Sequence, residues 1–385
     1  KNAIIKTFKN NKNKLKNVVI TGGIGFLGIH LLDEIIKNTD SNVYLVIRSK
    51  EISAFERLKN TLNYYFDGKY IDLINKRIHI IECELQVNSL EDILKDNNLI
   101  DKIDTVFNSA AHVKHFGNKE LFMKINVGIT KNLIDFCLKY NKKLIHISTL
   151  SVSGNGMEAG VVNQKFDNDV LFTEKDINVG QELQNIYSYS KYIAEVEMLK
   201  AISKGLNGTI IRTGNLCNRI SDNKGQINQD NAFMSRIKFV IDQKIMPESI
   251  IKDGYMEISP VDSAASAIIK IACDTKYPVY HLYNSNHISF TNFINILKNI
   301  NINIDLLSEE EFIQKIYKDE NGNSSILIMD IGKDNKLEYK SSIVINNDRT
   351  LSELNRLEFK WPKITDNYII QMIKNIKGAK TNDKI

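Results

Sequence analysis

At 385 residues the chain exceeds what one compact core usually holds and suits a larger domain joined to a smaller one. Its 43% hydrophobic and 25% charged residues exclude a disordered or fibrous protein, and no apolar run nears the roughly 18–20 residues of a membrane span. The net charge of +5 comes from lysines mixed with acids and excludes a nucleic-acid footprint.

Residues 1–16 are rich in lysine and asparagine with little periodicity and read as a linker. The chain begins with Lys1, which hints at a piece of something longer, and its polar start carries no secretory signal. Val18–Thr21 is apolar and β-branched, Ile29–Lys37 has helical periodicity, and Val43–Ile47 is a second apolar run. Further runs at Ile78–Ile81, Thr105–Phe107, Leu144–Ile147 and Thr209–Ile211 alternate with helical stretches. This alternation predicts an α/β, Rossmann-like, doubly wound parallel sheet with helices on both faces. Right-handed crossovers then line the carboxyl ends of the strands along one crevice, where ligands bind.

After about residue 215 the rhythm loosens into loop, helix (Phe233–Asp242) and loop. Ser259–Ala272 reads as a helix rejoining the first domain, and from His281 come a strand, a helix (Thr291–Asn299) and a mixed tail ending near Trp361. Residues 17–215, with 259–280, are therefore expected to form the nucleotide-binding domain. Residues 216–258 and 281–385 form a smaller, mostly helical substrate-binding subdomain. Cys83, Cys137, Cys217 and Cys273 lack any Cys-x-x-Cys spacing, which predicts free buried thiols in a reducing cytoplasm rather than disulfides or zinc.

Gly22, Gly25 and Gly28 sit between the first strand and its helix. Glycines there let the backbone turn tightly, approach a pyrophosphate and pack helix on strand, while the helix amino terminus offers N–H groups to phosphate. Their spacing, Gly-x-x-Gly-x-x-Gly, differs by one residue from the usual dinucleotide pattern. Thr21, Phe26 and Leu27 belong to the same turn. The second strand ends in Arg48-Ser-Lys50 with no acid, which favours NADPH: Arg48, assisted by Arg57 and Lys59, would hold the 2′-phosphate. Glu84 and Leu85 would lie beside the adenine, and Asn108-Ser-Ala-Ala111, with Asn108 and Ala110, would let a flat cofactor pass close to the backbone.

Tyr187 and Lys191 are four residues apart and share one helix face. A tyrosine hydroxyl, with an ordinary pKa near 10, needs help to exchange protons at neutral pH, and the ammonium can stabilise its phenolate. Thr149 at the end of the fifth strand offers a third hydroxyl, with Ser148 and Ser151 beside it as alternatives. Asn126 would orient a water or backbone group behind the lysine. His112 and His115 lack acid or cysteine partners at metal-ligand spacing and are placed along the substrate crevice.

At these residues the chain resembles the extended short-chain dehydrogenase/reductase family. Thr21-Gly-Gly-Ile-Gly-Phe-Leu-Gly28, Asn108-Ser-Ala-Ala111, Ser148-Thr149, Tyr187-x-x-x-Lys191 and Ile211-Arg-Thr-Gly-Asn215 carry the likeness over most of residues 17–275. A narrower resemblance lies in Ala110-Ala-His-Val-Lys-His-Phe-Gly117, Phe172-Thr-Glu-Lys-Asp, Val179-Gly-Gln and Asn185-Ile-Tyr-Ser-Tyr-Ser-Lys191. These look like the terminal thioester reductase domains of nonribosomal peptide and polyketide synthetases. The resemblance implies Thr149, Tyr187 and Lys191 as catalytic residues, with Lys191, Thr213 and Asn215 joining the cofactor contacts. It implies NADPH-dependent reduction of an acyl or peptidyl thioester on the phosphopantetheine arm of a carrier protein, by a monomeric domain of a cytoplasmic synthetase. Glu84 stands where that family usually has aspartate, and the last hundred or so residues match only loosely. Competing readings are a fatty acyl-CoA reductase, a nucleotide-sugar epimerase or dehydratase, and an NADPH-sensing regulator. An epimerase would favour NAD and an acid near position 48, and a regulator need not retain Tyr187.

Overall fold

The computed structural model describes residues 11–12, 14–112, 118–154, 161–163, 170–183, 185–222, 226–228, 231–251, 254–319, 325–328, 330–332, 334–337 and 343–378. Seven strands make the central sheet: β1 (Asn17–Thr21), β2 (Asn42–Ile47), β3 (Ile78–Glu82), β4 (Thr105–Asn108), β5 (Lys143–Thr149), β6 (Gly208–Thr213) and β7 (Val279–Leu282). Their order is β7-β6-β5-β4-β1-β2-β3, and every pairing is parallel. The order reverses between β1 and β4, so the crevice opens at the carboxyl ends of those two strands.

The longer helices are α1 (Phe26–Asn38), α2 (Ala54–Phe66), α3 (Leu90–Asp96), α4 (Ile129–Lys139), α5 (Ile186–Ser203), α6 (Ala232–Gln243), α7 (Val261–Cys273), α8 (Phe290–Asn299), α9 (Glu309–Tyr317), α10 (Asp348–Arg356) and α11 (Asp366–Gly378). Strands such as Val18-Val-Ile20 are apolar without alternation because helices cover both faces of the sheet. One buried cluster joins β1 and β2 to α1, α2 and α7, and another gathers β4 and β5 with α4 and α5. Local sequence sets the ends: Ser53 accepts from Glu56 N to start α2, and Asp67 closes it in the left-handed conformation.

A third cluster holds α6, α8, α9 and α11, with Phe233, Phe293, Phe312 and Met372 at its centre. This is the smaller, mostly helical subdomain. Three boundaries differ from expectation. Strand β7 runs to Leu282, past the expected break at 280, and Leu354 and Phe359 pack into the larger domain. Ser259–Pro260 is not helical but pairs with Leu216–Cys217, so the helix starts at Val261. Within the expected linker, Asn11–Lys12 pairs with Asp274–Thr275, Leu15 is buried, and the backbone N–H of Lys16 donates to Asp104; residues 1–10 lie outside the described set. No described helix is long and apolar enough to cross a membrane.

Candidate active site

The glycine turn is built by contact. Gly22 has φ +67°, and a Cβ there would sit 2.8 Å from the Ala110 backbone. A Cβ on Gly28 would meet the Gly22 carbonyl oxygen at 2.2 Å. Gly25 N donates to Gly22 O at 2.9 Å and caps α1 without any side chain, leaving the helix amino terminus open toward the crevice. The turn, the uncapped helix end and the crevice together fit a dinucleotide pyrophosphate. Gly28→Ala should therefore cost about 1–3 kcal/mol of stability by overpacking, read as a lower denaturation midpoint. An unchanged midpoint would show that helix and turn can separate freely.

Thr21 and Asn108 face inward instead of toward a ligand. Thr21 Oγ1 donates to Asn108 Oδ1 at 2.9 Å, and the Asn108 amide contacts Thr130 Oγ1 at 3.1 Å and His146 Nδ1 at 3.0 Å. Both are buried. They lock β1 to β4 at the switch point, so any approach of a cofactor here is to the backbone of this segment. Ala110 supplies the close backbone approach, and Phe26 and Leu27 form the first turn of α1.

At the end of β2, Arg48 is exposed, and the Arg57 guanidinium donates to the Arg48 carbonyl. Burial, then the neighbouring Arg48 charge, push the Arg57 pKa down. Glu84 forms an ion pair with Arg48 at 3.5 Å. Leu85 is half-buried against the core, and Lys59 lies on α2.

Asn185 caps α5 by accepting from Tyr187 N at 2.8 Å, placing Tyr187 and Lys191 one turn apart beside the end of β5. Tyr187 is hydrogen-bonded to Thr149; burial pushes its pKa up to about 12, and the Thr149 bond opposes this. Lys191 is 2% exposed and donates to Ile147 O at 2.5 Å. Burial lowers its pKa to about 8, opposed by the Glu195 carboxylate. Burial is the largest influence on the phenol, and the Lys191 ammonium is directed to the Ile147 carbonyl.

Thr149 Oγ1 donates to Ser151 Oγ at 3.2 Å and accepts from Ser151 N at 3.1 Å, so these two hydroxyls stay together. Ser148 leaves the site: its Oγ donates to Glu195 at 2.5 Å inside the protein. Asn126 lies in a π-helical turn, Met123–Gly128, ahead of α4. It accepts from His112 N at 2.8 Å and donates to Ser190 Oγ, next to Lys191, at 2.8 Å, so it ties the segment after β4 to α5. The His112 ring packs edge-on against Phe122, and His115 lies outside the described residues.

Thr213 Oγ1 donates to Ser148 O at 3.1 Å, tying β6 to β5. Asn215 N donates to Glu257, a fully buried acid whose pKa burial raises to about 7. Sequence reasoning missed Glu257, Glu195 and Arg212 as parts of this region. Two signals point to the last two: a guanidinium inside the apolar strand Gly208-Thr-Ile-Ile-Arg-Thr213, and an acid one helical turn beyond Lys191.

A family profile described as "Male sterility protein", of NAD-binding type, matches residues 20–268. The structure of a thiolation-reductase di-domain from an archaeal non-ribosomal peptide synthetase superimposes with TM-score 0.79 at 31% identity, covering 97% of this chain and 78% of that one. The terminal R domain from the myxalamid PKS-NRPS pathway gives TM-score 0.79 at 20% identity, covering 97% of this chain and 93% of that one. A linear gramicidin synthase protein of Brevibacillus parabrevis is 22% identical over 379 residues, 95% of this chain and 7% of the synthase. The chain spans less than half the length of the curated relatives it matches. The chain belongs to the Male sterility protein family of NAD-binding domains, as a reductase of the extended short-chain dehydrogenase/reductase class.

Proposed function

We propose that this domain reductively releases an acyl or peptidyl thioester from the phosphopantetheine arm of a carrier protein as an aldehyde, using NADPH. The observation that carries the reading is the hydrogen-bonded hydroxyl pair of Thr149 and Tyr187, with Lys191 one turn away, at the carboxyl edge of the sheet beyond the glycine turn. A reduced nicotinamide bound in this crevice supplies a hydride to the thioester carbonyl. Thr149 and Tyr187 donate hydrogen bonds to the carbonyl oxygen, which is charged mainly in the transition state, where such bonds lower the barrier most. Loss of the thiol then leaves the aldehyde, and the proton that balances the thiolate comes from solvent or the Tyr187 hydroxyl. A second reduction, with Tyr187 as proton donor, would give the alcohol. Lys191 fixes the β5 edge through Ile147 O.

The uncapped α1 terminus suits the pyrophosphate, and exposed Arg48 with Arg57 suits a 2′-phosphate. Arg48→Ala is expected to weaken NADPH on the order of 10-fold or more while changing NADH little, since charge-assisted bonds to phosphate would be lost. Equal losses for both cofactors in a fluorescence titration would remove Arg48 from phosphate recognition. The proposed partner is a carrier domain of the same cytoplasmic synthetase, as the names of the relatives suggest. A fatty acyl-CoA reductase would share this chemistry on a free substrate. Loss of NADPH absorbance with acyl-pantetheine, acyl-CoA and carrier-bound thioesters tests the reading: preference for the carrier-bound form supports it. A preference for acyl-CoA would favour the alternative.

A further inference from the structure

Behind the site lies a buried polar network that the reaction as described does not use. Glu195, one turn beyond Lys191 on α5, and Arg212 on β6 have fully buried side chains. Arg212 Nε lies 3.0 and 3.1 Å from the two Glu195 carboxylate oxygens, and Nη2 donates to Oε2 at 2.6 Å. Its remaining nitrogen donates to Asp176 O at 3.0 Å and to His281 Nε2 at 2.9 Å. His281 must then carry its proton on Nδ1, which donates to Asn346 O at 2.8 Å. The guanidinium also lies 4.8 Å over the Phe172 ring. On the opposite side Ser148, next to Thr149, donates to Glu195.

Segment 173–182, held at Asp176 by Arg212, reaches the turn that follows Thr149. Gln181 Nε2 donates to Val152 O at 3.0 Å, and a Cβ on Gly154 would meet Glu182 O at 2.9 Å. Isolated buried ion pairs are weak sources of stability, because desolvation offsets most of the attraction. Here every guanidinium nitrogen is committed, to partners on α5, on β7 and in segment 173–182, a pattern suited to positioning.

We propose that Glu195 and Arg212 are positioning residues that register catalytic Lys191 and the β5 edge against segment 173–182, so that the hydroxyl pair and this segment move as one unit. The inference rests on the thioester reductase reading. Glu195 faces Lys191 from its own helix, and His146, buried and held neutral, faces it from β5; the Tyr187 phenol shares the helix face. Removing the Glu195 charge removes the influence that raises the Lys191 pKa, so Lys191 should lose its proton at lower pH. Where protonated Lys191 is needed, the fall of kcat at high pH should then begin earlier in Glu195→Gln than in wild type.

Three variants test this: Glu195→Gln, Arg212→Lys and Ser148→Ala. Arg212→Lys keeps the charge but cannot bridge Glu195 and Asp176 O at once. It should raise hydrogen exchange across 173–182 and lower kcat/KM for an acyl-pantetheine thioester by on the order of 10-fold, with NADPH affinity within about twofold. Ser148→Ala leaves the ion pair and the Glu195 charge intact, so its high-pH limb should stay at the wild-type position, and hydrogen exchange in Arg212→Lys keeps the test open if Glu195→Gln does not fold. Unchanged exchange across 173–182 in Arg212→Lys, or an unmoved high-pH limb in a folded Glu195→Gln protein, whatever the loss of thermal stability, would reduce the pair to a structural one and overturn the proposal. A wild-type protein that consumes no NADPH with any thioester would instead overturn the functional reading.

Discussion

Tyr187→Phe should lower kcat on an acyl-pantetheine thioester by a factor on the order of 10² or more, with NADPH affinity within about twofold of wild type. The phenol hydroxyl is the part of this residue that meets Thr149, and its ring would remain packed on α5. Burial holds the hydroxyl protonated well above neutral pH, so it can serve as a hydrogen-bond donor and proton source across the ordinary working range. Phenylalanine keeps the ring and removes that donor. Steady-state turnover beside a fluorescence titration of NADPH separates the two effects. Full turnover in the variant would exclude Tyr187 from the chemistry.

Thr149→Ala should cost a factor on the order of 10²–10³ in kcat, the usual penalty for removing one donor to a developing oxyanion. Thr149 also accepts from Ser151 N and starts the short helical turn Leu150–Ser153, so a control must preserve the hydroxyl. Thr149→Ser does so and should retain most activity. The hydrogen bond from Thr149 opposes the upward push on Tyr187, and its loss should raise the phenol pKa further. If alanine and serine variants were equally impaired, the β5 turn rather than the hydroxyl would be the essential feature.

Much of this arrangement can be read from local pattern. Unalternating apolar strands announce a parallel sheet covered on both faces, and Val18-Val-Ile20 and Leu144-Ile145 behave accordingly. Gly22 and Gly28 are legible because close backbone approach excludes any side chain there. Tyr187 and Lys191 are legible because helical spacing alone places them together.

What local pattern hides depends on contacts between distant segments. Nothing local says that Asn108 turns inward to Thr21 and His146, since an asparagine at a strand end satisfies crevice and core alike. The direction of the Lys191 ammonium toward Ile147 O depends on how α5 packs on β5. Glu195 and Arg212 lie 17 positions apart on different elements, and neither reveals its partner until helix and strand are packed. The last strand of the sheet is hard to delimit because His281 interrupts an otherwise apolar run, yet burial against Arg212 and Asn346 satisfies both ring nitrogens.

The central claim is hydride delivery to a thioester carbonyl. Its most direct test uses NADPH deuterated at the transferable positions of the nicotinamide ring, an acyl thioester on a phosphopantetheinylated carrier, and mass analysis of the product trapped as an oxime. The account predicts an aldehyde, trapped as its oxime, with deuterium at the former carbonyl carbon, or an untrapped alcohol with two such atoms, either formed slower by a factor on the order of 10² in the Tyr187→Phe protein. Release of unlabelled carboxylic acid, or retention of intact thioester with NADPH bound, would contradict it.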